Sequence, residues 1–163
     1  MTHDPLISVL IVDDHPLMRY GVAGEINAQR DMKVVAEAED GDSALALFRE
    51  HKPDVTLMDL KMPGMNGIDC LMAIRAEFRQ ARIIVLTTAT GDIQVTRAFK
   101  AGAVGFLLKD DSGRYQVLSK YSHIREADIE FPEFRHFAFL YLIIAFVIFF
   151  VGGLRNRKKQ THP

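Results

Sequence analysis

LISVLIVDD, Leu6–Asp14, is the stretch that decides the fold. Apart from Ser8, its first seven residues are apolar and largely β-branched. A run this short and this apolar reads as a central strand buried on both faces. It stops at Asp13-Asp14, so the carboxyl end of the strand carries two carboxylates. Pro16 then suits the first turn of a helix, with Leu17, Val22 and Ile26 as an apolar face running to Asn27.

The same unit repeats outward from this point. Val34–Ala36 reads as a second strand, and Gly41-Asp42-Ser43 opens a helix that turns Ala44, Leu45, Leu47 and Phe48 inward. Asp54–Met58 is a third strand and again ends on an acid, Asp59. A loop with Pro63, Gly64, Asn66 and Gly67 leads into a helix to about Phe78. Arg82–Leu86 is a fourth strand, ending on Thr87-Thr88. Ile93–Ala101 is helical with Gly102 as its cap, and Val104–Leu108 is a fifth strand, ending on Lys109. Such alternation with short connections predicts an α/β fold, a doubly wound parallel sheet with helices on both faces.

Ligands of such sheets gather at the carboxyl ends of the strands. Those ends are Asp13-Asp14, Asp59, Thr87-Thr88 and Lys109. Taken singly, each is ordinary: an acid pair caps a helix, an Asp before a Pro/Gly loop makes a turn, a Thr caps and a Lys is solvated. Together on one edge they form a set. Crowded carboxylates repel and call for a cation, and Mg²⁺ suits all-oxygen ligands. A carboxylate can attack phosphorus to give an acyl phosphate, while a hydroxyl and an ammonium steady the phosphoryl oxygens. The set suits phosphoryl transfer to Asp59. It offers no general base for a fast hydrolase, and Asp59-Leu60-Lys61 lacks the second Asp, two residues on, that Asp-nucleophile phosphatases use.

VDDHPLMRYG (Val12–Gly21), DVTLMDLKMPGMNG (Asp54–Gly67), RIIVLTT (Arg82–Thr88) and AGAVGFLLKD (Ala101–Asp110) resemble the response-regulator receiver domains of two-component signalling, most of all the NarL/FixJ type. The resemblance covers roughly residues 6–111. It implies a flavodoxin-like (βα)5 fold with strand order 2-1-3-4-5. It also implies Asp59 as phosphoacceptor, Asp14 as a direct Mg²⁺ ligand, Asp13 as one acting mainly through water, and the Lys61 carbonyl as a further ligand. Thr87 and Lys109 would hold the phosphoryl oxygens, and Phe106 falls at the aromatic switch position, where plain core packing is an equal alternative. The implied partner is a sensor histidine kinase that supplies the phosphoryl group from a phosphohistidine to a receiver in the cytoplasm. Such a receiver catalyses its own phosphorylation and slow dephosphorylation and is otherwise not an enzyme. Receivers also commonly form homodimers.

The resemblance ends where the composition changes. Residues 1–111 hold 12 Lys/Arg against 17 Asp/Glu, and residues 112–163 hold 8 against 4. The overall charge of −1 argues against nucleic-acid binding by bulk charge, and the single Cys70 fits a reducing compartment. No secretory signal is read at Met1–Pro5. Ser112–Arg125 is expected to be helical, an atypical fifth helix within a linker region 112–136. Nothing after it resembles a helix-turn-helix, so no DNA binding is expected.

Phe137–Leu154 is 18 residues without a charge. As a helix it would span about 27 Å, near the ~30 Å hydrocarbon core of a bilayer. A transmembrane helix over 137–154, anchoring the chain in the inner membrane, is therefore expected, with a basic tail over 155–163. The positive-inside tendency would keep Arg155–Lys159 in the cytoplasm, whereas the chemistry needs the receiver there. A rearranged or truncated NarL-type regulator is the alternative reading of this tail.

Overall fold

The computed structural model describes residues 6–87, 92–109 and 115–119. In chain order the elements are β1 (Ile7–Val12), α1 (Pro16–Asn27), β2 (Met32–Ala38), α2 (Gly41–His51), β3 (Val55–Asp59), α3 (Gly67–Glu77), β4 (Ile83–Thr87), α4 (Asp92–Ala101), β5 (Gly105–Lys109) and β6 (Tyr115–Ser119). They build one sheet in the order β2-β1-β3-β4-β5-β6. The first five strands are parallel and stand in the expected order, while β6 runs antiparallel to β5. The α/β flavodoxin-like reading therefore holds for the described residues.

The apolar run of β1 is explained by what covers it. Ile7, Val9 and Ile11 face one side with Val55, Leu57, Ile84 and Leu107, and α1 lays Val22, Ala23 and Ile26 over them. Leu10 and Val12 face the other side with Met58, Ile83, Val85 and Phe106. There α2, α3 and α4 add Ala44, Phe48, Leu71, Ile74 and Ala98. Each such aliphatic or aromatic side chain contributes about 1.5–3 kcal/mol when fully buried. Strand alternation places one core on each face, so the central strands β1 and β3 are apolar at every position but Ser8 in β1 and Thr56 in β3, up to the acid that ends β3.

Local signals set the helix ends. Asp40 caps α2 by accepting the Ser43 amide at 2.7 Å, and Asn66 caps α3 by accepting the Asp69 amide at 3.0 Å. Gly102 follows α4 at φ +108°, a conformation that side chains rarely adopt, in line with the expected cap.

Two expectations need correction. Leu17 is 87% exposed and takes no part in the apolar face of α1. It lies five residues before Val22, about 140° around the helix, whereas Met18 shares the spacing of Val22 and Ile26 and packs against the core instead. The expected helix over Ser112–Arg125 is also overturned, since Tyr115–Ser119 is a strand paired with Gly105–Lys109. The edge of β5 would otherwise leave backbone donors and acceptors open, and a segment with Tyr and Val satisfies them as a strand. That tertiary pairing outweighs a weak helical periodicity. Among the described residues no helix is long and apolar enough to cross a membrane. The expected span at 137–154 and the basic tail lie outside the described residues.

Candidate functional site

Register brings the strand ends together. Val12 is aligned with Met58, so Asp13 and Asp59, each one residue further on, arrive side by side. Asp59 is aligned with Leu86 and Thr87 with Leu108, which puts Thr87 and Lys109 at successive steps along the same edge. Four residues widely separated in the chain thus share one end of the sheet.

The acidic centre is tight. One side-chain ligand atom from each of Asp13, Asp14, His15 and Asp59 lies within 4.8 Å of the others. Asp13 is buried and Asp14 and Asp59 are half-buried. The Asp59 Oδ1 accepts the Leu60 amide at 2.7 Å. Burial is the largest influence on Asp59 and holds its pKa above the ordinary 3.8. The negative charges of Asp13 and Asp14 push the same way, and the amides of Lys61 and Leu60 oppose them. Burial likewise raises Asp13, against hydrogen bonds and charge from His15.

Asp14 Oδ1 is buried and accepts no hydrogen bond among the described residues. His15 Nδ1 stands 2.8 Å away, without hydrogen-bond alignment. A buried carboxylate oxygen left this way is costly unless a cation completes it. Three carboxylates form an oxygen-rich set suited to a hard divalent ion. The residues therefore fit a bound metal, as the sequence led us to expect for Asp13, Asp14 and Asp59.

The surrounding loops fix this geometry. His15 donates its amide to Asp13 Oδ1 at 2.8 Å and Arg19 donates its guanidinium to the Asp13 carbonyl at 2.6 Å. The Gly67 amide donates to the Leu60 carbonyl at 3.2 Å, closing the Leu60–Asn66 loop. His15 and Arg19 were not expected at the site. His15 was legible as the neighbour of the acid pair, and Arg19 as the residue one turn beyond it on α1. Phe106 is wholly buried, with its ring 6.1 Å from that of Phe99 on α4. A separate cavity of about 210 Å³, lined by Leu60, Lys61, Asn66, Ile68, Gln94 and Arg97, includes none of the carboxylates.

Comparison with known proteins places this geometry. NarP, a nitrate/nitrite response regulator of Escherichia coli, is 48% identical over 102 residues, which is 63% of this chain and 47% of that protein. The chain spans about half the length of the curated relatives it matches. Among solved structures, the receiver domain of the response regulator NarL from Mycobacterium tuberculosis is 38% identical with a TM-score of 0.62, covering 64% of this chain and 85% of that one. A CheX–CheY–BeF3–Mg²⁺ complex from Borrelia burgdorferi is 28% identical with a TM-score of 0.60, covering 63% and 78%. The response regulator receiver domain family matches residues 9–117, and the chain belongs to that family.

Proposed function

We propose that Asp59 accepts a phosphoryl group from the phosphohistidine of a sensor histidine kinase. The observation that carries this reading is the convergence of Asp13, Asp14 and Asp59 at one sheet edge, with Thr87 and Lys109 on the next two strand ends. An Asp59 carboxylate oxygen attacks phosphorus, the P–N bond to the kinase imidazole breaks, and the acyl phosphate forms. Thr87 donates to one phosphoryl oxygen and Lys109 neutralises another. Asp14, Asp59 and the Lys61 carbonyl, with Asp13 mainly through water, would hold Mg²⁺, which would supply charge neutralisation for the incoming phosphoryl group. The likeness to a receiver solved with BeF3 and Mg²⁺ supports this choice of ion. Water removes the phosphoryl group slowly, so the chain signals and does not turn over substrate.

Full burial of the Phe106 ring supports core packing at that position over a switching role. The receiver works in the cytoplasm, where its kinase partner's catalytic domains are. Phe137–Leu154 anchors it to the inner membrane, a reading that rests on eighteen uncharged residues. Residues 1–111 and the β6 strand act as the receiver unit. Homodimer formation through the later elements is part of the same reading.

The full chain, incubated with Mg²⁺ and a small phosphodonor such as acetyl phosphate, should gain one acid-stable, base-labile phosphoryl group. Asp59→Asn should abolish it, because an amide cannot form the acyl phosphate. Equal labelling of the Asn variant would place the acceptor elsewhere.

A further inference from the structure

His15 stands at the acidic centre with no structural task for its ring. It is the N-cap residue of α1, yet its side chain makes no capping hydrogen bond, where Ser, Thr, Asp or Asn would. Its side chain is 75% exposed, so packing does not hold it either. The ring's polar contacts are with the acid pair, Nδ1 lying 2.8 Å from Asp14 Oδ1 and 3.4 Å from Asp13 Oδ1.

The backbone delivers it there. The His15 amide is tied to Asp13 Oδ1, and its carbonyl accepts the Met18 and Arg19 amides, each at 3.1 Å. With the main chain held at three points, only two side-chain torsions remain free. The imidazole needs little further ordering to reach an ion held by the carboxylates.

We infer that His15 Nδ1 is an additional metal ligand, and that it makes this site favour first-row transition ions over Mg²⁺. The inference rests on reading the carboxylate cluster as the metal site. Mg²⁺ prefers oxygen, and an imidazole nitrogen adds little to its binding. Imidazole suits the transition ions, whose affinities rise from Mn²⁺ through Co²⁺ to Ni²⁺.

The competing account makes His15 a simple counter-charge to Asp14. An incoming ion would then displace it, and its removal would help every divalent ion alike.

Calorimetric titration of the full chain with Mg²⁺ and with Ni²⁺ separates the two, using His15→Ala and Asp14→Ala. The sequence holds six histidines, so the Ni²⁺ binding of interest is the part that Asp14→Ala removes. Loss of an outer-shell partner costs about 10–100-fold in metal affinity, and loss of a direct ligand should cost no less. His15→Ala should therefore weaken this Ni²⁺ binding by on the order of tenfold or more and leave Mg²⁺ within about twofold. Electron spin-echo spectra of the Mn²⁺-loaded chain should show imidazole nitrogen modulation that His15→Ala abolishes. Equal changes for Mg²⁺ and Ni²⁺, or an absent nitrogen signal, would overturn the inference. If Asp14→Ala left Mg²⁺ binding intact, the metal-site reading itself would fail. His15 is exposed, so His15→Ala should melt normally, and His15→Gln, which restores bulk without an imidazole, should behave like it.

Discussion

Gly67 lies hard against the backbone of Asp59. A Cβ there would collide with the Asp59 carbonyl oxygen and stand 2.8 Å from Leu60 Cα. The first residue of α3 is thus packed directly behind the strand end that carries the acceptor carboxylate. This contact ties the position of Asp59 to the helix that follows it.

Gly67→Ala should therefore do more harm than an ordinary surface change. Backbone cannot yield as a side chain can, so overpacking should cost about 1–3 kcal/mol, read as a lowered urea midpoint at unchanged slope. Phosphorylation of Asp59 should slow as well, because the strand end is displaced. Gly24→Ala is the control: nothing lies within 4 Å of its added Cβ, and in mid-helix it should stabilise by roughly 0.5–1 kcal/mol. Two glycine substitutions of opposite sign would separate close approach from helix propensity.

The raised pKa values of Asp13 and Asp59 give a pH prediction. With folded values above the ordinary 3.8, these groups contribute stability that is complete below that value and lost as pH rises through the folded pKa. Asp40 and Glu77 are lowered, by the Ser43 amide and by Arg49 respectively, and act in the reverse sense as pH falls. The metal-free chain should thus be more stable in mild acid than at neutrality, until the second pair takes over. Asp59→Asn should flatten the neutral limb. At pH 7, Mg²⁺ at about 100 times its Kd should restore roughly 2.7 kcal/mol, and Asp14→Ala should remove most of that response. Thermal melts across pH, with and without the ion, check both parts.

Some of this was legible in the chain and some was not. Leu6–Val12, Asp54–Met58 and Arg82–Leu86 announce buried parallel strands because both faces are covered, so apolar identity alone reveals them. Asp13, Asp14, Asp59, Thr87 and Lys109 stand out in the sequence because a parallel sheet gathers its carboxyl ends, and the register places Asp13, Asp59, Thr87 and Lys109 along that edge. Leu17 was misjudged because a five-residue spacing resembles a helical face only loosely. Tyr115–Ser119 was misjudged because its pairing partner is fixed by the sheet and not by its own periodicity. His15 was passed over because one imidazole beside two acids acquires its meaning only when Asp59 is brought up from another strand.

Thr56 shows a cost that sequence could not reveal. It is wholly buried in the middle of β3, and its Oγ1 has no hydrogen-bond partner among the described residues. Leaving a buried hydroxyl unpaired costs about 1–3 kcal/mol. Thr56→Val keeps the shape and removes the hydroxyl, so it should stabilise by roughly 1 kcal/mol. The backbone bond from the Thr56 amide to the Arg82 carbonyl, at 2.9 Å, is untouched by the change. A urea midpoint that falls would mean that the hydroxyl is paired.

The C-terminal segment gives the last prediction. If Phe137–Leu154 seats the chain in a bilayer, its insertion rests on the summed transfer of eighteen uncharged residues. A central Leu, Ile or Phe contributes roughly −0.3 to −0.6 kcal/mol, and a central Asp or Arg costs about 2.5–3.5 kcal/mol. Ile144→Asp with Val147→Arg should outweigh most of that gain and move the chain from carbonate-washed membranes to the soluble fraction. A buried core helix would also suffer from two charges, but the receiver would then lose stability or aggregate. A membrane anchor lies apart from the sheet, so the released chain should keep its melting temperature and still accept phosphate on Asp59. A reporter fused after Pro163 gives the side of the membrane on which Arg155–Lys159 emerge, and thereby decides between the positive-inside tendency and the need for a cytoplasmic receiver. A wild-type chain found wholly soluble and monomeric without detergent would end the anchor reading and favour a rearranged regulator.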